Sequence, residues 1–393
     1  MFIIKKIKPL LLKYILIILF NILFSQTENY NLDLIFNIEI QNASNNFGVS
    51  DVWGYTDEAG NEYAIVGYKS GTKIYNVSSN QAEEILDLPG PSGSDYYFHR
   101  DFKTFNNHLF IVNEMYGADE GMQVVDLSPL PNAEPIYRNT YEGIAQSHNL
   151  WISDNGYAYI EHYYGDNIHI VDVNNPLDII YEATFGNLGE NCHDVYTQGN
   201  LAYVSEGYSN QYGIYDISDL NNINKLATID CIGYAHNAWT NIAGTHLVTT
   251  EETQGISVKI WDITDLNNIN MESEYLGQNG LAHNVHVKDD LVYISHYTAG
   301  VKIIDIFDPT DPIEVASYDT YPQNDNEGFY GCWGAFPFTE NGYVYASDMQ
   351  NGLFVLDFNQ SVAGWVEGYI YDEFNNPISD AKLVSKLNNK IFY

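Results

Sequence analysis

Ala282-His283-Asn284-Val285-His286-Val287, then Leu291-Val292-Tyr293-Ile294-Ser295, then Gly300-Val301-Lys302-Ile303-Ile304-Asp305-Ile306 is the stretch that decides the fold, because the chain keeps rewriting it. Ser147-His148-Asn149-Leu150-Trp151-Ile152 leads to Tyr157-Ala158-Tyr159-Ile160-Glu161 and then to Ile168-His169-Ile170-Val171-Asp172-Val173. Another copy opens at Cys192-His193-Asp194-Val195 and ends at Ile214-Tyr215-Asp216-Ile217. One anchor is the residue just ahead of the Asp, Asn or Gly that opens each copy. It falls at Ser50, Arg100, His148, His193, His236, His283 and Trp333, with gaps of 43 to 50 residues. A second anchor closes an aliphatic run at Asn76, Asp126, Asp172, Asp216, Asp262, Asp305 and Asp357, 22 to 26 residues later. Seven units are in phase, and repetition at a fixed period is the strongest fold signal a lone sequence offers.

Within each unit the apolar residues alternate or form short runs rich in Val, Ile, Tyr and Trp, which suits strands. Asp154-Asn155-Gly156 and Asn341-Gly342 are turn signals between them. Three strands are plain per unit, and a weaker fourth follows the second anchor, as in Ile313-Glu314-Val315-Ala316-Ser317-Tyr318. Four antiparallel strands in about 45 residues predict a β-propeller blade. The fold class is therefore all-β, a seven-bladed propeller over residues 32–358. The last unit reaches only its third strand before the composition changes after Asn359. The orphan segment Leu34–Ile40 is expected to supply the missing outer strand and close the ring, which would remove an exposed edge.

The residues that carry a family resemblance are Ser50-Asp51-Val52-Trp53-Gly54-Tyr55, Arg100-Asp101-Phe102-Lys103, Gly121-Met122-Gln123-Val124-Val125-Asp126-Leu127, Ser147-His148-Asn149, Cys231-Ile232-Gly233-Tyr234-Ala235-His236-Asn237 and Gly331-Cys332-Trp333-Gly334. The units resemble LVIVD-repeat propellers, and the layout resembles the secreted choice-of-anchor B proteins of bacteria. That resemblance implies the fold, an extracellular setting and a C-terminal anchor of variable type. It implies no established activity.

Residues 1–25 read as a secretory signal, with Lys5, Lys6, Lys8 and Lys13 ahead of an apolar run from Tyr14 to Phe24. That run is too short for a typical membrane span. Residues 364–393 resemble the opening of a carboxypeptidase regulatory-like β-sandwich domain. Two strands do not make a sandwich, so the reading expects a longer chain, with any cell-surface attachment supplied by a C-terminal region not in this sequence.

The formal charge is −36. The signal holds four lysines and no acid, so the mature chain would carry −40. Such a surface repels nucleic acid and anionic membrane, which excludes nucleic-acid partners. Three cysteines are present. Cys192 and Cys231 fall at the tops of neighbouring units, within the expected reach of a disulfide. Cys332 would be left free, and three reduced thiols is the alternative.

Propeller topology makes the first anchors interesting. The first strand of a blade is innermost, and the second returns to the face where the first began. The anchors would thus bring Arg100, His148, His193, His236, His283 and Trp333 to one mouth of the central channel. The ends of second strands would add Glu114, Glu161 with His162, Glu206, and Glu251 with Glu252. Imidazoles and carboxylates that converge suit a transition-metal site or an acid–base pair. The sharpest metal expectation is His193, His236 and Glu206 around a divalent cation. A residue that recurs in every blade can equally form a structural belt of inter-blade hydrogen bonds. Two functions follow. One is a secreted or surface-displayed binding or adhesion module for an extracellular protein or polysaccharide. The alternative is a metal-dependent hydrolase or lyase. No phosphate loop, nucleophile elbow or His-Glu-x-x-His helix is present.

Overall fold

A computed structural model describes residues 29–40, 48–79, 81–90, 92–93, 99–115, 117–118, 120–162, 167–186, 192–277, 279–324 and 326–359, with two residue pairs beyond. The signal segment 1–25 and nearly all of 364–393 lie outside the described residues. Those two pairs, Leu383–Val384 and Ile391–Phe392, form a small ladder in a separate compact unit, 362–393.

Seven four-stranded antiparallel sheets make the propeller, and the described residues contain no helix. Blade one shows the pattern, with Val49–Thr56 innermost, then Glu62–Tyr68, Gly71–Asn76 and Glu83–Pro89 outermost. The innermost strands of the other blades are Arg100–Phe105, Leu150–Ile152, Asp194–Gln198, Ala235–Thr240, Val285–Lys288 and Cys332–Phe336. Each packs on the next, and that of blade seven packs on that of blade one, so the ring is closed. Burial follows from this geometry. The middle strands are covered on both faces by neighbouring blades, and Ile65, Val66, Ile111, Val112 and Val204 are essentially inaccessible. The outer strands are half solvated, so Asn224–Asp230 keeps its polar residues exposed.

The ring closes through its N-terminal strand. Leu32–Ile38 pairs antiparallel with Gly352–Phe358 and becomes the outer strand of blade seven. It begins two residues before the orphan segment expected from sequence. Its register carries a signature. Every outer strand has one extra residue opposite the third strand, at Ile85, Arg138, Glu182, Leu226, Glu272 and Val315 in blades one to six. Ile35 occupies that bulge in blade seven. A bulge adds local twist to the strand that holds it, so a strand taken from the far end of the chain reproduces the geometry of the other six.

The second anchors are turns. The side-chain oxygen of Asp126, Asp172, Asp216, Asp262 and Asp305 accepts the backbone N–H two residues on, at 2.8–2.9 Å. Asn76 does the same for Ser78 at 3.0 Å. An amide oxygen accepts this bond as a carboxylate does, which explains why Asn substitutes here.

Candidate functional site at the channel mouth

The first anchors lie at one end of the central channel, around a cavity of about 610 Å3. The channel beneath it is ringed by a closed circle of aromatic side chains. His99, His148, His193, His236, His283 and Trp333 follow one another with centroids 4.2–4.8 Å apart, and Trp333 returns to His99. Six rings come from seven blades because Ser50 contributes none.

The belt is built by bonds between blades. His193 Nδ1 lies 2.9 Å from the carbonyl oxygen of His236, and His283 Nδ1 lies 2.5 Å from that of Trp333. A carbonyl only accepts, so both imidazoles carry their proton on Nδ1, and Nε2 keeps a lone pair. One layer deeper, Asp101 Oδ2 accepts the N–H of Leu150 at 2.8 Å, and Asn237 Oδ1 accepts that of Val285 at 3.0 Å. Side chains of one blade therefore satisfy backbone groups of the next.

The mouth has two unlike halves. In the first, Glu114 sits between two imidazoles, 2.5 Å from His148 Nδ1 and 3.1 Å from His99 Nδ1. Burial raises the Glu114 pKa, but the two imidazoles outweigh it and hold the carboxyl well below the usual range. Burial lowers that of His148, yet Glu114, with Glu161 and Glu252 behind it, lifts it to about 9. This half is an internal ion pair at neutral pH.

The second half contains His236, His283 and Glu252. Burial, then the like charge neighbouring rings would carry, pushes His236 down to about 3 and His283 and His193 well below the ordinary histidine value. These rings are neutral at pH 7. His283 Nε2 is buried without a hydrogen-bond partner, in a residue 2% exposed. His236 Nε2 is 3.7 Å from Glu252 Oε1, which also accepts from the Tyr297 hydroxyl.

Several residues named from sequence point elsewhere. Arg100 opens its strand as expected, but its side chain is buried in the wall, where Nε donates to Tyr68 O at 3.1 Å and a terminal nitrogen to Met115 Sδ at 2.8 Å. Its neighbour His99 lines the cavity instead. Glu206 is tied to Lys225 at 2.7 Å and to the Tyr215 hydroxyl at 2.5 Å. It is not brought to His193 and His236, so that trio is not assembled. Glu251 faces Lys259 and accepts the N–H of Gly233 at 2.6 Å, while Glu252, the next residue, reaches the mouth because strand side chains alternate. Glu161 lines the cavity and accepts the His148 N–H at 2.8 Å. The side chain of His162 lies outside the described residues.

The disulfide expectation is corrected. No disulfide joins Cys192, Cys231 or Cys332 to one another. Cys192 packs among Tyr159, Ile168 and Phe185, whereas Cys231 packs against the cluster that runs from blade four to blade six, so the sheet of blade four stands between them. The Cys231 thiol donates instead to Gly233 O at 3.3 Å.

Sequence reading missed the cavity's outer rim, where Tyr208 and Phe329 sit in loops outside the repeated motifs and Tyr234 stands two residues ahead of the His236 anchor. At the opposite channel end a second cavity, about 320 Å3, is walled by Trp53, Trp151, Trp239, Phe336 and Phe338.

Comparison with known proteins agrees with the ring. Residues 279–320 match the LVIVD repeat family. That span is blade six, the stretch quoted first. Comparison with curated proteins gave no match. Among solved structures, the chain is similar to the WD40 β-propeller domain of Doa1, with TM-score 0.60, 9% identity, and coverage of 84% of this chain and 98% of that one. It is also similar to U3-55K, with TM-score 0.55, 11% identity, and 83% and 98% coverage. The computationally designed Ika8 protein follows at TM-score 0.52, 11% identity, and 82% and 100% coverage. At such identities the likeness is one of fold. The chain is an all-β, seven-bladed propeller containing an LVIVD repeat.

Proposed function

We propose that the chain is an exported binding module that seats a neutral or amino-sugar polysaccharide at the histidine-lined mouth. β-Propeller repeat proteins are commonly binding modules. The observation that carries this reading is the rim. Tyr208 is 81% exposed and Phe329 48% exposed, and both stand over a cavity whose floor is imidazole and carboxylate. Tyr208 meets Tyr234 edge-on at 4.7 Å. Exposed aromatic faces above hydrogen-bonding groups suit sugar rings, which offer apolar faces and hydroxyl edges. The formal charge of −36 disfavours an anionic polymer. Export through the N-terminal signal and attachment through a C-terminal region, in the manner of choice-of-anchor B proteins, belong to this reading. The hydrolase or lyase alternative has lost its expected ligand set, since Glu206 is held by Lys225.

A glycan array with calorimetry tests it. Binding of a neutral or amino-sugar oligomer that weakens about fivefold to tenfold in Tyr208→Ala, the scale of one aromatic contact, supports the reading. Unchanged binding in Tyr208→Ala and Phe329→Ala, or turnover of the polymer, would overturn it.

A further inference from the structure

We propose that His236, His283 and Glu252 bind one divalent transition-metal ion of the zinc class at the floor of the mouth, with open coordination positions facing the cavity. Their ligand atoms lie within 4.8 Å of one another. A tetrahedral zinc with bonds of about 2.0–2.1 Å spaces its ligands roughly 3.4 Å apart, so side chains need to draw in by about an ångström. Two neutral imidazoles and a carboxylate are a donor set for zinc and its neighbours, not for calcium or magnesium, which prefer oxygen.

Two features beyond the spacing of the ligand atoms point the same way. His283 Nε2 is a buried acceptor left without a partner, and such an atom costs stability unless something fills its lone pair. The groups behind the ligands are already in place. The Trp333 carbonyl holds His283 Nδ1, and Tyr297 donates to Glu252. Outer bonds of this kind fix the tautomer and orientation of a metal-binding histidine. Access is through the cavity, since His236 and Glu252 both line it.

The His99, Glu114 and His148 group also gathers three ligand atoms within 4.8 Å. It is the weaker candidate because Glu114 already bonds both rings. A metal there must displace the bonded proton of His148, whereas His283 Nε2 has nothing to give up.

The test uses the 393-residue chain stripped with a chelator and titrated with cobalt(II), then zinc(II), with no glycan present, so that its failure is separate from failure of the polysaccharide reading. The expected result is one equivalent, a cobalt absorption spectrum of four- or five-coordinate type, and at least tenfold weaker binding in His283→Ala and Glu252→Gln. Glu114→Gln should bind as the parent does. Glu252→Gln keeps shape at a partly exposed position, and a melting curve establishes that each variant is folded. Absence of stoichiometric binding, or binding lost in Glu114→Gln and kept in Glu252→Gln, would overturn the proposal.

Discussion

The two halves of the channel mouth use the same residue types and reach opposite states. Around Glu114 the carboxylate lies between two ring nitrogens, so His148 holds its proton and the group is satisfied internally. Around Glu252 the nearest imidazole nitrogen is 3.7 Å away, and the carboxylate bonds Tyr297 instead. The imidazoles there stay neutral, and one keeps a buried lone pair unused. Composition alone would call these halves alike. A shift of about an ångström in carboxylate position separates a closed ion pair from an open ligand set.

The largest contrast should come from truncating the two carboxylates. Glu114→Ala leaves His148 facing His99 without its nearest counter-ion, and is expected to cost roughly 2–3 kcal/mol, below the ~3–5 kcal/mol of a fully buried broken pair because both rings reach the cavity. Glu252→Ala, in metal-free protein, should cost about 1 kcal/mol, because it removes the acceptor of the Tyr297 hydroxyl but breaks no ion pair. Urea unfolding of both variants at pH 7 checks the difference, and equal losses would erase the distinction between the halves.

Zinc should stabilise the parent protein by about 2.7 kcal/mol when present at a hundred times its dissociation constant. Thermal melting with and without zinc reads this, and His283→Ala should abolish the shift while Glu114→Gln keeps it.

The pH dependence is expected to be two-sided. His148 is raised in the folded state, so its contribution is complete below its unfolded value near 6.5 and is lost as pH rises through about 9. His236 is lowered, so the folded state resists its protonation, and stability falls as pH drops from about 6.5 towards 3. Glu114 is depressed, so its contribution is present above its unfolded value and is lost as acid protonates it. Metal-free protein should therefore be most stable near pH 6 to 7. His148→Gln should flatten the alkaline limb by on the order of 2 kcal/mol, leaving the acid limb in place. Denaturation midpoints from pH 4 to 9 measure both limbs.

The smallest effect is expected at the rim. Tyr208→Ala should alter stability by less than about 0.5 kcal/mol, as befits an exposed side chain, while weakening glycan binding. A large loss of stability would make Tyr208 a packing residue.

The repeat made the ring legible. Period, strand number and the closing strand could all be read because each blade restates the same two anchors, and Asp or Asn at the second is demanded by a turn that blades one to six make. The site was legible to the level of which strand ends meet, not which side chains face the axis. His236 and Trp333 fall at irregularities in the pairing of their inner strands, between Ala235 and Asn237 and between Cys332 and Gly334. Irregularities of this kind re-aim side chains without leaving a sequence mark. Arg100 sits at the anchor by spacing, yet its long cation finds the Tyr68 carbonyl in the wall and leaves the mouth to His99. The Phe98-His99-Arg100 run did hold a clue, a histidine one residue before an anchor that is histidine in four other blades. Glu206 and Glu251 were misplaced for a related reason. Each has a lysine across its own sheet, Lys225 and Lys259, and a buried carboxylate follows its cation.

The asymmetry of the mouth can be read directly from the imidazole nitrogens. Nitrogen-15 NMR of histidine-labelled, metal-free protein at pH 7.5 should show His148 with both ring nitrogens protonated. His193 and His283 should be neutral, with the proton on Nδ1 and a bare Nε2. A neutral His148, or a His283 that is charged or carries its proton on Nε2, would contradict the account.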